Sequence, residues 1–392
     1  MATSFLRVAM LAWFAAVAQA APYVPKDDAL VLEHLPVRPG DPIGRELRRL
    51  RGALAQDPGN LGVALRLAGR YFELAGAEGD PRFVGYAQAA LGPWWNLPDP
   101  PLDARVMRAI LKQYSHDFVG AMQDLDAATR EDRGSALAWS WRAAIHMVQA
   151  DYAAARTDCE ALAVIQPGLS AVGCVTYLDG TTGRAGAAHR SLSEALERST
   201  GISSETKVWM LTRLAEMSLR QGDIRQAEAH FRSALALDVR DQFLLAACAD
   251  FLLDQGRPAE VVALLRDWVR SDVLLLRLAL AEKAAGAAAA KEHIDALKAR
   301  FDAAALRGDK LHQQEEARFN LVLLGQKEKA LALARDNWKL QREPRDARIL
   351  LEAALATKDP AAAQGALEWL EKSGHEDPVL RQTAQRLKSL KP

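Results

Sequence analysis

Along most of the chain a small residue is followed four positions later by an apolar one, and three after that usually by another, in stretches that are otherwise largely polar. The series reads Ala87/Leu91/Trp94, Ala121/Leu125/Ala128, Ala155/Cys159/Leu162, Ala188/Leu192/Ala195 and Ala227/Phe231/Ala234. It continues Val261/Leu265/Trp268, Leu297/Phe301/Ala304, Ala330/Ala334/Asn337 and Ala363/Leu367/Leu370. Spacings of four and three place each set on one helical stripe, so each predicts an amphipathic helix with one buried face. Successive sets begin about 34 residues apart from Ala87 to Ala363. Each period also holds an upstream apolar helix and a turn. The predicted unit is therefore a helix hairpin, which must stack on its neighbours to bury its stripe.

Local signals agree with the period. Asp117, Asp151, Asp223 and Asp359 each stand four residues before the small residue, where a carboxylate can cap the free N–H groups opening the second helix. Pro258 and Pro360 stand at or near a first helical position, which needs no N–H. The pattern divides the chain into a capping helix within 41–60, about nine hairpins over 61–375 and a polar capping helix within 376–392.

These residues resemble the tetratricopeptide repeat family, whose pattern is Trp-x2-Leu-Gly-x2-Tyr, then Ala-x3-Phe, then Pro. One copy runs Trp139, Arg142, Ala143, His146, Asp151-Tyr152, Ala155, Cys159 and Pro167. A second runs Leu211, Leu214-Ala215, Gly222-Asp223-Ile224, Ala227, Phe231, Ala234 and Leu237-Asp238; a third runs Leu245, Cys248-Ala249, Leu252, Gly256, Val261 and Leu265. Arg142, His146 and Cys159 depart from the consensus, and the copies after Trp268 match it weakly. The resemblance implies an all-α, right-handed superhelical solenoid whose first helices line a concave binding surface. On this chain it implies a partner-binding groove of Tyr114, Met147, Trp209, Glu216, Phe243, Asp250 and Asp254, joined in the later repeats by His312, Glu315, Arg345 and Arg348. Apolar anchors would stand beside acidic groups in the middle, with basic groups towards the C-terminus. The expected ligand is an internal segment with one or two large apolar side chains flanked by Lys or Arg. Covering of neighbouring helices is the plainer role for Trp209 and Phe243.

Composition narrows the functional classes. Hydrophobic residues make up 49% of 392 and aromatics only 6%, the profile of many small-faced helices. Fifty basic and fifty acidic residues are interspersed, so no basic stripe offers itself to nucleic acid or an anionic membrane. At the start, Arg7, an apolar run from Val8 to Val17 and Ala18-Gln19-Ala20 predict a signal peptide over 1–20, cut after Ala20, and a periplasmic or secreted mature chain. The Pro-bearing stretch 21–40 reads as an extended segment. Cys159, Cys174 and Cys248 are too few for a cystine scaffold. Cys159 and Cys174 flank the Pro167-Gly168 break at similar heights, so either a bridge or two free thiols fits the spacing, whereas Cys248 should stay reduced.

Candidate chemistry is sparse. No nucleophile elbow, phosphate loop, His-Glu-x-x-His or Cys-x-x-Cys occurs. His312, Glu315 and Glu316 share one helical face and could offer metal ligands, but a salt-bridged surface is the simpler reading, and no metal or cofactor is expected. Asp124 and Asp126 read as surface charge, and Trp139, Trp268 and Phe231 as core. The Trp94-Trp95 pair enters a Pro-rich connection as a candidate contact. The expected function is a non-catalytic adaptor or assembly scaffold of the bacterial cell envelope that binds a segment of another exported protein. Two rivals remain: a periplasmic chaperone or maturation factor for an exported metalloprotein, and a helical enzyme with dispersed carboxylates.

Overall fold

A computed structural model describes residues 41–390 together with Asp27. The expected signal peptide over 1–20 and, Asp27 apart, the stretch 21–40 expected to be extended lie outside the described residues. Among the latter every element is helical. Helix α1 (Pro42–Gln56) opens the array, followed by the hairpin of α2 (Leu61–Glu78) and α3 (Arg82–Ala90) and the single turn α4 (Gly92–Trp95). Then come α5 (Leu102–Tyr114) with α6 (Phe118–Glu131), α7 (Ala136–Val148) with α8 (Tyr152–Ile165), and α9 (Leu169–Thr181) with α10 (Ala185–Arg198). The next pairs are α11 (Ser204–Arg220) with α12 (Ile224–Leu235), α13 (Gln242–Asp254) with α14 (Pro258–Leu265), and α15 (Asp272–Ala285) with α16 (Ala290–Leu306). Helix α17 (Gln313–Arg318) widens into a π-helical turn, Phe319–Leu324, before α18 (Lys327–Leu340). Helix α19 (Pro344–Thr357) pairs with α20 (Gln364–Ser373), entered through a 3-10 turn, and α21 (Pro378–Lys388) closes the array. The described chain is thus an all-α solenoid of nine tetratricopeptide-type hairpins.

The apolar stripe does what its spacing requires. The first two members of all nine sets are buried, from Ala87 and Leu91 through Phe231 at 1% exposure to Ala363 and Leu367. The small first member lets the paired helices approach, and the larger second member fills the space between hairpins; truncating one such as Phe231 to Ala costs roughly 3–5 kcal/mol. Trp139 and Trp268 do not share this burial: both are half-buried, with the Arg142 and Arg240 guanidinium groups 4.8 and 5.8 Å above their rings. Trp94 and Trp95 are half-buried too, and Arg108 Nη1 donates to Trp95 O and Leu97 O at 2.8 Å, so this connection is tied to the array.

The turns are equally regular. All four forecast aspartates cap their helices, accepting from Gly120 N at 2.9 Å, Ala154 N at 3.1 Å, Gln226 N at 2.9 Å and Ala362 N at 3.1 Å. Each of the nine hairpins turns through one left-handed residue; six are Gly, but His116, Ala150 and Lys358 take φ of 60°, 59° and 57°. Asp124 corrects the sequence reading. It is buried, held by Arg108 Nη2 at 2.6 Å and Lys112 Nζ at 2.8 Å from the preceding helix, because α5 lays both cations against α6.

The superhelix winds until its ends meet the middle. On one side Gly79, closing α2, lies against α13: a Cβ there would overlap the Gln242 side chain. On the other, the last hairpins pack on α7 to α10. Arg342 N donates to Val148 O at 2.7 Å, Trp369 Nε1 to the Tyr152 hydroxyl at 2.8 Å, and Ala185 N to Glu376 Oε2 at 2.7 Å. A Cβ on Gly183 would stand 3.0 Å from Gly374 O, so two backbones touch at this seam.

Candidate partner-binding groove

The odd-numbered helices from α5 to α19 present one face to the inside of the superhelix, where two adjoining cavities of about 200 and 370 Å³ share Phe243, Gln314 and Arg345. Glu216, Phe243, Asp250, Asp254, Arg345 and Arg348 line the smaller one. Tyr114, Trp209, Phe243, His312, Glu315 and Arg345 line the larger. Helical spacing and chain closure therefore bring together every forecast residue except Met147. Met147 is 5% exposed and packs with Ala155 and Leu178 between α8 and α9; Ala144 and Val148 face the cavity in its place.

The charges in this chamber satisfy one another. Arg348 grips both Asp254 oxygens at 2.6 and 2.7 Å and reaches Glu352 at 2.8 Å. Asp250 lies between Arg277 at 2.7 Å and Arg318 at 2.5 Å; burial alone would raise its pKa, but the two guanidinium groups outweigh it and hold the carboxyl well below the carboxylate range. Glu216 pairs with Arg213 at 3.0 Å and Arg220 at 3.7 Å. At the start of α19 Glu343 and Asp346 form a capping box, with Arg345 on Glu343 at 2.7 Å. Burial, together with the neighbouring Glu343, pushes the Asp346 carboxyl up to about 7, although Arg345 opposes the shift. The acidic middle and basic end that suggested a Lys- or Arg-flanked ligand are thus an internal match: the later repeats supply the cations.

What remains unmatched is aromatic. Trp209 and Phe243 are each 38% exposed in the chamber. Between them Arg213, 5% exposed, stacks its guanidinium 4.3 Å from the Phe243 ring centroid, 4.8 Å from Tyr177 and 5.7 Å from Trp209. Sequence reasoning missed Arg213 and Tyr177. The signal was present in Arg213, four residues after Trp209 and so on its face, whereas Tyr177 sits in a helix with no clear stripe. Burial pushes the Tyr114 phenol up to about 12 and, with the help of Arg345 and His312, the His116 imidazole down to about 4.

His312 and Glu315 stand 3.9 Å apart, while Glu316 turns to Lys329 at 3.0 Å. Among the described residues no three His, Cys, Asp or Glu side chains converge as a metal site would need. Cys159 and Cys174 are joined across the α8–α9 turn with Cα atoms 5.6 Å apart, and Cys248 is free and buried, its thiol pushed up to about 12 by desolvation.

No protein-family model and no curated protein matches the chain. Solved structures similar to it include yeast Tom70, at 14% identity over 88% of this chain and 84% of that one with a TM-score of 0.44. A tetratricopeptide repeat protein from Parabacteroides merdae follows at 13% identity, 82% and 99% coverage and 0.35. The P58(IPK) TPR domain matches at 12% identity, 89% and 93% coverage and 0.21.

Proposed function

We propose that this chain is a non-catalytic protein-binding scaffold, an assembly adaptor of the bacterial cell envelope that holds a short segment of another exported protein in its interior chamber. The observation that carries this reading is the exposure of Trp209 and Phe243, 38% each, at the centre of a surface whose charges are otherwise paired. Aromatic anchors that reach open space rather than core supply most of the energy in peptide recognition. The ligand is therefore an apolar or aromatic segment without flanking charges, since the acids of the chamber are already neutralised. Glu216, Asp250 and Asp254 are locked in ion pairs and Asp346 is engaged in the α19 capping box, which suits a scaffold better than an acid–base catalyst, since that needs a group free to exchange its proton. The Ala18-Gln19-Ala20 motif and the Cys159–Cys174 bridge support an oxidising, extracytoplasmic compartment.

A transient chaperone would use the same chamber and release its client. In-cell crosslinking from a photoreactive residue at position 144, which lines the same cavity, followed by mass spectrometry, identifies the segment. Replacing Trp209 and Phe243 by Ala then decides the role: capture lost with an almost unchanged unfolding midpoint supports the chamber. A large fall in stability, with capture retained per folded molecule, refutes it.

A further inference from the structure

We propose that a separate cavity, at the seam where the last hairpins close on the α7–α8 hairpin, binds a small carboxylate carrying a flat apolar group. The cavity measures about 400 Å³, within the range of small-molecule sites, and lies between Ala150 and Tyr152 on one side and α18 and α20 on the other. Its walls are aromatic. Trp338 and Trp369 meet edge to face with ring centroids 6.0 Å apart, and the Tyr152 hydroxyl accepts from Trp369 Nε1. Gly365 makes room for the first of these rings, since a Cβ there would stand 2.9 Å from Trp338 Nε1.

Two donors at this cavity are unused among the described residues. The Trp338 indole N–H has no acceptor. Arg342 has no acidic partner: its Nε donates only to Trp338 O at 3.4 Å, leaving both terminal nitrogens free. Lys372 is matched by Glu368 at 3.4 Å, so the surplus positive charge of the lining rests on Arg342. A free guanidinium takes a carboxylate through two parallel hydrogen bonds, and the Trp338 indole N–H on the same lining offers a further donor. Two indoles and a phenol then enclose the flat apolar body, while an amine of the same shape meets like charge. Because Arg342 N also holds Val148 O at 2.7 Å, an occupant here ties the closing hairpins to the α7–α8 turn.

The test compares 3-phenylpropionate with 3-phenylpropylamine, titrated into the full chain and followed by quenching of tryptophan fluorescence and by calorimetry. The acid should bind saturably and at least about tenfold more tightly than the amine, the difference one charge-assisted contact makes. Arg342→Gln, a surface substitution, should weaken the acid by about tenfold with an unchanged unfolding midpoint. Trp338→Phe, which keeps a wall but removes the N–H, should weaken it less. Equal binding of acid and amine, undiminished binding by Arg342→Gln, or no saturation by about 10 mM acid would each overturn the proposal.

Discussion

Acid should open the superhelix at His375. This imidazole is fully buried at the seam, its Nδ1–H donating to Thr181 O at 2.9 Å while Nε2 meets no partner. Trp369 packs at 5.3 Å between centroids, and Arg220 and Arg381 supply nearby positive charge. Burial, reinforced by Arg220, therefore pushes its pKa down to about 3. The unfolded chain, with an ordinary imidazole, takes up the proton first. The stability this group contributes is full above about pH 6.5 and is lost progressively as the pH falls towards 3, reaching roughly 2 kcal/mol at pH 5. His116, pushed down to about 4, loses stability in an overlapping window, so the wild type alone cannot apportion the effect. His375→Asn can, because its amide N–H replaces Nδ1–H and does not titrate. Denaturant unfolding at pH 7.5 and pH 5.0 should show the variant weaker at neutral pH through lost packing on Trp369. Its fall between the two pH values should nevertheless be smaller than the wild type's by roughly 2 kcal/mol. Equal falls in the two proteins would refute the buried neutral imidazole.

Four further outcomes test the fold. Thiol counting on denatured, unreduced protein should give one group, Cys248, and three would reject the Cys159–Cys174 bridge. Asp223→Ala should cost about 1 kcal/mol through loss of the Gln226 N–H cap, and Asp223→Asn much less, read by denaturant midpoint. Lys358→Gly should raise stability by roughly 0.5–1 kcal/mol, because glycine relieves the left-handed φ of 57° at an exposed turn. A double-mutant cycle on Asp254 and Arg348, both 30% exposed, should give a coupling of about 1 kcal/mol that shrinks in high salt; zero coupling would place the pair apart in solution.

The parts of this molecule legible in its sequence are those set within a few residues. Ala155 and Cys159 announce their stripe because both lie on one helix, and Asp117 announces its cap because the amide it binds is three residues away. What could not be read depends on partners far along the chain. Asp254 and Arg348 are 94 residues apart, and each alone looks like a groove charge awaiting a ligand. Asp124 looked like surface because helical spacing says which residues share a face, not what stands opposite; its partners Arg108 and Lys112, four apart on the preceding helix, were the available clue. Met147 failed for a related reason: a rotation of α7 by one residue exchanges a lining position for a packing one.

The self-matching of the concave charges has a consequence for how the chamber can work. An open solenoid carrying Asp250, Asp254 and Glu216 in its middle would select basic ligands at long range, and salt would weaken them. Here Arg318 and Arg348 come from repeats that follow those acids in the chain, so the same electrostatics are spent on joining distant repeats. Salt then acts on these internal pairs rather than on the ligand. Raising ionic strength loosens the partly exposed Asp254–Arg348 pair, while the aromatic contacts of Trp209 and Phe243 are little affected. Partner capture through this chamber should accordingly hold or improve as salt rises, the opposite of what a charged groove gives.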